Sequence, residues 1–411
     1  MNKVRVRFAP SPTGIPHIGN TRTALFNFLF AKHNNGKLIL RIEDTDKARF
    51  VKEAESTILE ILEWLDISWD EKFTQSERLE IYKEHAQILK QKKLVYEDEG
   101  ALRFKMPKDG ETSWDDAVGN KKITFKNETQ EDFIIIKSDG FPTYNFANVV
   151  DDYLMNITHV IRGEEFISST PKHVQLYKSF GWSSPVFAHL PVILGPDKSK
   201  LSKRHGAKSA LDFKSEGYLK EALLNFIVLL GWNPGNDKEQ MSMDEMIKLF
   251  DLKDINTANP IFDIQKLDWL NGVWIRSILD LKKRLADFYK DEKDILTILN
   301  SDKADIFIQS AASRMKTLAD FQSLISQDSD KKKSKEDKEI SVKLLKYLNN
   351  KLVQDWQDDK LLSALKEFSK QEDVSFKKIY FLMTGKVAGI GILELNKIYG
   401  RDFFIKNLSD E

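Results

Sequence analysis

The chain contains no cysteine among its 411 residues, and this absence excludes disulfide bonds, thiol nucleophiles and thiolate zinc sites. Its seven histidines are scattered without an H-E-x-x-H spacing, so the sequence predicts no metal held by the protein. Long apolar runs are absent too, since none approaches the ~20 residues of a membrane span.

Net charge is also missing, because 63 Lys and Arg residues balance 63 Asp and Glu residues. This balance argues against bulk, nonspecific binding of polyanions, although a polarised surface can still hold RNA locally. The first twenty residues carry Arg5, Arg7 and three prolines, which interrupt any signal-peptide pattern. The composition therefore predicts a cytoplasmic protein with no membrane association.

Apolar periodicity in the first part of the chain predicts alternating strands and helices. Residues 4–8 and 38–42 have strand patterns, and a helix is expected to begin near Thr21 and to stop at residues 34–36. Further helices are marked around residues 58–65 and 79–89. This alternation predicts an α/β fold, a doubly wound parallel-sheet (Rossmann-type) domain that binds ligands at the carboxyl ends of its strands.

The pattern changes three times along the rest of the chain. It loosens into a small α+β insertion after residue 95, returns to the sheet with strands at 133–136, 160–162 and 191–194, and becomes almost purely helical after Gly217. The predicted division follows these changes: 1–95 first half of the sheet domain, 96–132 insertion, 133–215 second half, 216–275 and 276–411 two all-α segments.

The string from Pro10 to Asn20 places an imidazole at a strand-to-helix turn. His17 and Gly19 follow a turn expected to need Gly14, and the helix beyond is expected to offer free N–H groups to phosphate. Gly19 would leave a flat face on which adenine could lie. Taken alone, His17 is more typical of an exposed histidine at a helix start; the complete string favours phosphate binding.

A second string, Lys200 to Arg204, follows the turn signal at residues 195–197. Ammonium groups on such a loop can reach phosphates as charge builds in a transition state. A solvated basic turn is the more common origin of such a cluster when it stands alone.

Other polar residues fall near predicted strand ends. Arg7 and Arg162 suit a carboxylate ligand, and Glu43 suits an ammonium group. Tyr144 and Asn148 could add hydrogen bonds, although each of these five singly fits a surface ion pair or a structural hydrogen bond equally well. The carboxylate pairs at 151–152 and 164–165 are interpreted mostly as loop solvation, caps, or RNA and ribose contacts.

These strings resemble known signatures. Residues 10–20 resemble the "HIGH" signature of class I aminoacyl-tRNA synthetases, and Lys200 to Arg204 resembles their "KMSKS" signature. The flanking segments 7–14, 41–46, 139–144 and 159–165 are similar to those of bacterial glutamyl-tRNA synthetases. The resemblance is specific over residues 1 to about 275 and weaker beyond.

This resemblance implies the activation of L-glutamate by ATP with Mg²⁺, and then transfer of the glutamyl group to tRNA(Glu). It implies a stem-contact role for 216–275, anticodon binding for 276–411, a monomer, and no zinc. The implied catalytic residues are His17, Lys200 and Lys203. The implied ATP-binding residues are Pro10, Ser11, Thr13, Gly14, His17, Gly19, Asn20, Leu201, Ser202, Lys203 and Arg204. The implied glutamate-binding residues are Arg7, Ser11, Glu43, Tyr144, Asn148 and Arg162.

The chain departs from the family pattern at three places. Asn20 replaces the last histidine of the signature, the insertion is short, and no arginine occurs between Arg314 and Arg401. Discriminating relatives use an arginine in the anticodon domain to reject tRNA(Gln). Its absence here leaves tRNA(Gln) open as a second substrate.

Several alternatives share part of this pattern. A glutaminyl-tRNA synthetase-like enzyme would end in β-barrels rather than helices, and a paralogue that modifies a tRNA base would lack residues 276–411. A nucleotidyltransferase acting on a small metabolite would ignore tRNA. A non-catalytic tRNA-binding paralogue would have no need of His17, Glu43, Arg162 and Lys203 together.

Overall fold

The computed structural model describes residues 3–201, 208–326, 332–353 and 355–409. The chain divides into two compact units, one formed by residues 1–215 and 220–267, the other by residues 216–219 and 268–411. The five-segment division expected from the sequence is finer than these two units and stays a prediction.

The first unit combines strands with helices. Its strands are β1 Arg5–Phe8, β2 Lys37–Ile42, β3 Glu71–Thr74, β4 Val95–Asp98, β5 Ala101–Phe104, β6 Glu111–Asp116, β7 Lys121–Lys126, β8 Phe133–Ile136, β9 His159–Gly163 and β10 Val186–Leu190. Its helices are α1 Ile18–His33, α2 Lys52–Trp64, α3 Leu79–Gln91, α4 Tyr144–Leu154, α5 Thr170–Phe180, α6 Ala210–Ser215, α7 Lys220–Leu229 and α8 Met243–Leu249. Short 3₁₀ helices lie at Lys47–Arg49, Gln75–Arg78, Asn127–Thr129, Glu164–Ser169 and Leu252–Asp254.

Two groups of parallel strands meet at β1 and β9. One group has the order β3-β2-β1, and the other has the order β9-β10-β6-β7 with only the β6–β7 pair antiparallel. The backbone N–H of Thr158 donates to the carbonyl of Arg5 at 2.9 Å, which places β9 beside β1. The strand order reverses at this point, and such a switch point is where open α/β sheets bind ligands.

Helix α1 is buried on nearly all sides, because it packs against β1, β2 and β9 on one side and against α7 and α8 on the other. It begins at Ile18, three residues before the predicted start, since His17 caps its first turn. Helix α5 ends at Phe180 and is capped by Gly181, whose φ of 81° is left-handed and favours glycine.

Two sequence predictions about strands were wrong. Phe133–Ile136 does not return to the parallel sheet: β8 pairs antiparallel with β5 in a separate sheet of order β4-β5-β8. Residues 191–194 do not form a strand, because β10 ends at Leu190 and only Leu194 makes an isolated bridge. Pro191 offers no N–H to a ladder, and a short apolar run does not specify its partner.

The segment predicted as an insertion also contributes to the parallel sheet. Phe187 of β10 pairs in parallel with Asp116 at the end of β6, and the backbone N–H of Ala117 donates to Phe187 at 2.9 Å. This pairing joins residues about 70 positions apart, so local periodicity could not predict it.

The second unit is helical. Helix α9 covers Ile264–Ser277, and the remaining helices are α10 Leu281–Phe288, α11 Lys293–Leu299, α12 Ala304–Ala312, α13 Asp320–Ile325, α14 Lys335–Leu352, α15 Asp358–Gln371, α16 Phe376–Thr384, α17 Ile392–Tyr399 and α18 Arg401–Ser409. Buried residues such as Phe321, Leu344, Phe368 and Phe404 form its core. Across the described parts of both units, no helix is long and apolar enough to cross a membrane.

Candidate active site

A cavity of about 820 Å³ opens at the carboxyl ends of β1 and β9. This volume lies in the range of small-molecule sites. Arg7 comes from β1, Glu43 follows β2, and Arg162 comes from β9, so the sheet brings together three residues that are far apart in the chain. All three are more than nine-tenths buried. Tyr144 and Asn148 of α4 line the same cavity, as do Pro10, Ser11, Thr13 and Asn20.

Helix α4 turns one polar face toward this site. Tyr144, Asn148, Asp151 and Asp152 stand at spacings of four, three and one residue, which places them on one side of a helix. Asn148, Asp151 and Asp152 are all almost fully buried. The earlier interpretation of the pair 151–152 as loop solvation or RNA contacts was therefore wrong.

Asp152 anchors two arginines beneath the cavity. Its Oδ1 accepts from Nε of Arg7 at 3.1 Å and from Nη1 of Arg41 at 2.7 Å, and Arg41 also donates to Oε1 of Glu43 at 2.9 Å. Burial acts to raise the pKa of Asp152, but the charges of Arg7 and Arg41 outweigh it and hold that pKa below its usual value. Burial raises the pKa of Glu43, and Arg41 and Arg7 only partly oppose this shift.

The pairing of Arg7 leaves its outer nitrogens available. Only its Nε donates to Asp152, and in the described part of the chain neither Nη atom has a hydrogen-bond partner. The Oε2 atom of Glu43 is likewise without a hydrogen bond within the described residues, whereas its Oε1 is occupied by Arg41. The cavity therefore presents the guanidinium of Arg7 and the carboxylate of Glu43. Each is bound on the side away from the cavity, Arg7 by Asp152 and Glu43 by Arg41.

Asp151 belongs to a second buried cluster. Its carboxylate accepts from Nε2 of Gln75 at 3.0 Å, from Nε of Arg78 at 2.9 Å and from the hydroxyl of Tyr82 at 2.7 Å. Burial, then the charge of Asp151, raises the pKa of Tyr82 above its usual range. This cluster ties α3 to α4 and fixes the helix that carries Asp152.

The amide of Asn148 fits best with its side-chain oxygen toward Arg41. In that orientation the oxygen accepts from Nη2 of Arg41 at 3.1 Å and the nitrogen donates to Oδ2 of Asp152 at 3.2 Å. Amide orientation is assigned from the hydrogen-bond network, and this one satisfies both groups. Asn148 thus joins the anchoring network as well as lining the cavity.

A smaller cavity of about 80 Å³ adjoins the first and is lined by His17, Gly19, Lys200 and Leu201. The two cavities share Asn20, Thr23, Gly163 and Glu165 along their boundary. The structure thus brings His17, Gly19 and Asn20 of the first signature together with Lys200 and Leu201 of the second, whereas Gly14 lines neither cavity.

His17 has a fixed hydrogen-bond geometry. Its Nδ1 accepts from the backbone N–H of Gly19 at 3.0 Å, which leaves the ring proton on Nε2. Partial burial, then the charge of Lys200, lowers the pKa of His17, so the ring is neutral near pH 7. Its Nε2–H can therefore donate a hydrogen bond outward.

Two expectations about this turn were wrong. The first N–H groups of α1 are not free: Ile18 donates to the carbonyl of Lys208, Gly19 donates to the His17 ring, and Asn20 donates to the His17 carbonyl. Gly14 is not needed, because a Cβ there would meet nothing within 4 Å and its φ is not positive. The adenine face expected at Gly19 stays a prediction; a Cβ there would lie 2.8 Å from Cε1 of His17, so the glycine also leaves room for that ring.

Lys200 is held by a tight hairpin. Leu194 and Lys200 form an antiparallel bridge, and the backbone N–H of Leu201 donates to Ile193 at 3.0 Å. The turn signal at residues 195–197 is confirmed, since Gly195 donates to Ser199 at 2.8 Å across the turn. The predicted site residues Ser202, Lys203 and Arg204 lie outside the described residues.

Several polar residues of the site were missed from the sequence. They are Arg41, Asp116, Thr170, His173 and His189, all buried behind the cavity. Arg41 stands in a strand that reads as almost purely apolar, and a charge inside such a strand is the signal that could have found it. The others come from segments that meet only in the folded chain.

Two protein families match this chain and together cover most of its length. The family described as "tRNA synthetases class I (E and Q), catalytic domain" matches residues 3–101 and 90–269. The family described as "Anticodon binding domain" matches residues 277–410.

Relatives named glutamate–tRNA ligase align over most of their length. The protein of Dehalococcoides mccartyi is 42% identical over 85% of this chain and 84% of its own. That of Thermodesulfovibrio yellowstonii is 39% identical over 98% of each.

Solved structures agree in fold. The glutamate-tRNA synthetase of Elizabethkingia anophelis is 30% identical with a TM-score of 0.85, covering 100% of this chain and 99% of that one. A glutamate tRNA ligase of Elizabethkingia meningosepticum in complex with its amino acid is 31% identical with a TM-score of 0.84, and the coverage is the same. The expected architecture of a parallel-sheet catalytic domain followed by a helical anticodon-binding region is confirmed, and the chain belongs to the class I tRNA synthetases of the glutamate and glutamine group.

Proposed function

We propose that the chain is a glutamate–tRNA ligase that activates L-glutamate with ATP and transfers it to the 3′ end of tRNA(Glu). The observation that carries this proposal is the cavity with two buried arginines and a buried glutamate, directly beside the cavity of His17 and Lys200. A dicarboxylic amino acid carries the charges that complement the first cavity. The names of the relatives support the same substrate.

The amino acid would bind by its charges. The Nη atoms of Arg7 suit the γ-carboxylate, Oε2 of Glu43 suits the α-ammonium, and Arg162 suits the second carboxylate. Tyr144, Asn148 and Ser11 would add hydrogen bonds. Glutamine would be rejected, because its neutral amide cannot pair with the Nη groups of the buried Arg7, which Asp152 leaves unbonded.

Activation needs positioning and charge neutralisation rather than a side-chain nucleophile. The α-carboxylate of glutamate attacks the α-phosphorus of ATP, forming a P–O bond as the bond to pyrophosphate breaks. The Nε2–H of His17 and the ammonium groups of Lys200 and Lys203 would stabilise the charge on the phosphates. The terminal adenosine hydroxyl of tRNA then attacks the glutamyl carbonyl and releases AMP.

The implied Mg²⁺ would arrive with ATP. Among the described residues no group of three or more His, Asp or Glu could hold a metal ion, and magnesium in such sites is held largely by substrate phosphates. When bound there, it would offset the negative charge of the phosphates. Glu165 is a carboxylate that lies on the boundary of the two cavities.

Three finer points stay proposals. The absence of arginine between Arg314 and Arg401 supports tRNA(Gln) as a second substrate. The monomeric state and the cytoplasmic location are expectations from the sequence.

The test is to charge separate tRNA(Glu) and tRNA(Gln) transcripts with labelled glutamate, with labelled glutamine run in parallel. Glutamate on tRNA(Glu) alone would support the ligase and refute the second substrate. Glutamate on both would support both, and an amidotransferase would then be required to correct the product. Failure to charge either transcript with glutamate would refute the proposal.

A further inference from the structure

The buried guanidinium of Arg162 donates all its hydrogen bonds to uncharged groups. Its Nε donates to Nε2 of His189 at 3.2 Å, and its Nη2 donates to Oγ1 of Thr170 at 2.8 Å. Its Nη1 faces Nδ1 of His173 at 3.1 Å and the hydroxyl of Tyr144 at 3.4 Å. Within the described residues it forms no ion pair with a carboxylate, in contrast to the other arginines below the cavity.

The carboxylate of Asp116 fixes the tautomer of His189. Its Nδ1 lies 2.5 Å from Oδ2 of Asp116, while Oδ1 of Asp116 accepts from the backbone N–H groups of Val118 and His189. The imidazole proton therefore sits on Nδ1, and Nε2 keeps a lone pair for Arg162. Burial lowers the pKa of His189 despite its bond to Asp116, so the ring stays neutral.

The tautomer of His173 is set in the same manner by an amide. Its Nε2 lies 3.0 Å from Oδ1 of Asn145, so Nε2 carries the proton and Nδ1 accepts from Arg162. Burial, then the charge of Arg162, lowers the pKa of His173 well below its usual value. A protonated ring at either position would face the guanidinium with a second donor.

We propose that Asp116, His173, His189 and Thr170 are positioning residues that hold the guanidinium of Arg162 in one plane while leaving its charge for a substrate carboxylate. The neutral acceptors take hydrogen bonds from the N–H groups of Arg162, but none of them is a counter-ion in contact with the guanidinium. Asp116 is the acidic residue among these four, and the imidazole ring of His189 separates it from the guanidinium of Arg162. The inference rests on the proposed function, since the carboxylate in question is that of glutamate.

The inference gives the insertion a role in the amino-acid pocket. Asp116 lies at the end of β6, in the segment 96–132 that the sequence predicted only as a small insertion. Its parallel pairing with β10 places it under His189, and the network thereby links the insertion to glutamate binding.

A matched pair of variants at His173 tests the charge argument. His173→Gln keeps an uncharged acceptor, and we expect the KM for glutamate to rise less than about tenfold. His173→Glu has nearly the same shape but supplies an internal counter-ion, and we expect a rise of about 100-fold or more with the KM for ATP unchanged. Equal rises in the KM for glutamate in the two variants would overturn the proposal. If His173 only filled space, glutamine and glutamate, which have nearly the same shape, would have the same effect.

Asp116→Asn tests the tautomer. An amide nitrogen at this position would donate to Nδ1 of His189 and move the ring proton to Nε2, against Arg162. We expect the KM for glutamate to rise about 10- to 100-fold with an unchanged KM for ATP. In spectra of ¹⁵N-histidine-labelled protein the His189 proton should move from Nδ1 to Nε2; a proton on Nε2 already in the unmodified protein would overturn the inference.

The readouts separate this inference from the proposed function. Glutamate-dependent exchange between ATP and pyrophosphate, with tRNA present, is measured first on the unmodified protein, and its absence would refute the ligase. Glutamate affinity of the same His173 variants is measured by calorimetry, which requires no turnover. If the unmodified protein neither exchanges nor binds glutamate, both proposals fail.

Discussion

Asp152→Asn removes one negative charge from beneath two buried arginines without changing the shape of the side chain. Asp152 is 1% exposed and accepts charge-assisted hydrogen bonds from Arg7 and Arg41. Each such bond contributes about 1.5–3 kcal/mol. Breaking a buried ion pair typically costs about 3–5 kcal/mol. Because the asparagine oxygen still accepts one hydrogen bond, we expect the free energy of unfolding to fall by about 3 kcal/mol at pH 7.

The effect should depend on pH in a defined direction. The pKa of Asp152 is lower in the folded protein, so its contribution to stability is complete above its unfolded value of about 3.9 and falls as the pH drops toward the folded value. The difference in unfolding free energy between the unmodified protein and the variant should therefore shrink below about pH 4.

Urea unfolding measures this difference, and hydrogen exchange of peptides from β1 and β2 assigns it to the first unit. The matched control is Glu80→Gln, which breaks an exposed ion pair with Lys83 and should leave the urea midpoint unchanged. The KM for glutamate should rise in the Asp152 variant, because Arg7 loses its anchor. A loss below about 1 kcal/mol, or one equal to that of the control, would refute the reasoning.

Three further predictions concern the site itself. Gly19→Ala should raise the KM for ATP by about tenfold, since the new Cβ would displace the His17 ring, and an unchanged KM would contradict this geometry. Lys203→Ala should slow adenylate formation about 100-fold in single-turnover assays, with the far-UV circular dichroism unchanged; full activity would remove this residue from the mechanism. Because burial raises the pKa of Glu43, kcat/KM for glutamate should fall as the pH drops toward that pKa, and Glu43→Gln should have low activity without this pH dependence.

The elements that the sequence predicted well are those with strong local patterns. Helix α3 buries Tyr82, Ala86 and Leu89 at helical spacing, and β2 is nearly continuous in apolar residues. Both signatures stand beside turns that the local sequence predicts, and most of their predicted site residues that the structure describes line two adjoining cavities. The roles assigned to these residues stay predictions until the assays are done.

The failures share a physical cause. Phe133–Ile136 reads as a strand, but pairing with β5 or with the parallel sheet depends on partners that a short apolar run does not name. The carboxylates of Asp151 and Asp152 look like solvated charges until the fold brings them against Tyr82 of α3 and Arg7 of β1. In the observed helix their spacing puts them on the face of Tyr144 and Asn148, but whether that face is buried depends on packing.

By itself the sequence determined the α/β class, the strand-to-helix turn with His17, the turn before Lys200, and the family of the chain, because each rests on the order of neighbouring residues. Only the tertiary structure decided that Asp152 holds Arg7 and Arg41, that Asp116 of the insertion lies beneath His189, and that Arg162 is surrounded by neutral acceptors. Such contacts join residues up to about 145 positions apart. Their energies arise from excluding water around charges, and no local pattern in the chain records which charges will meet.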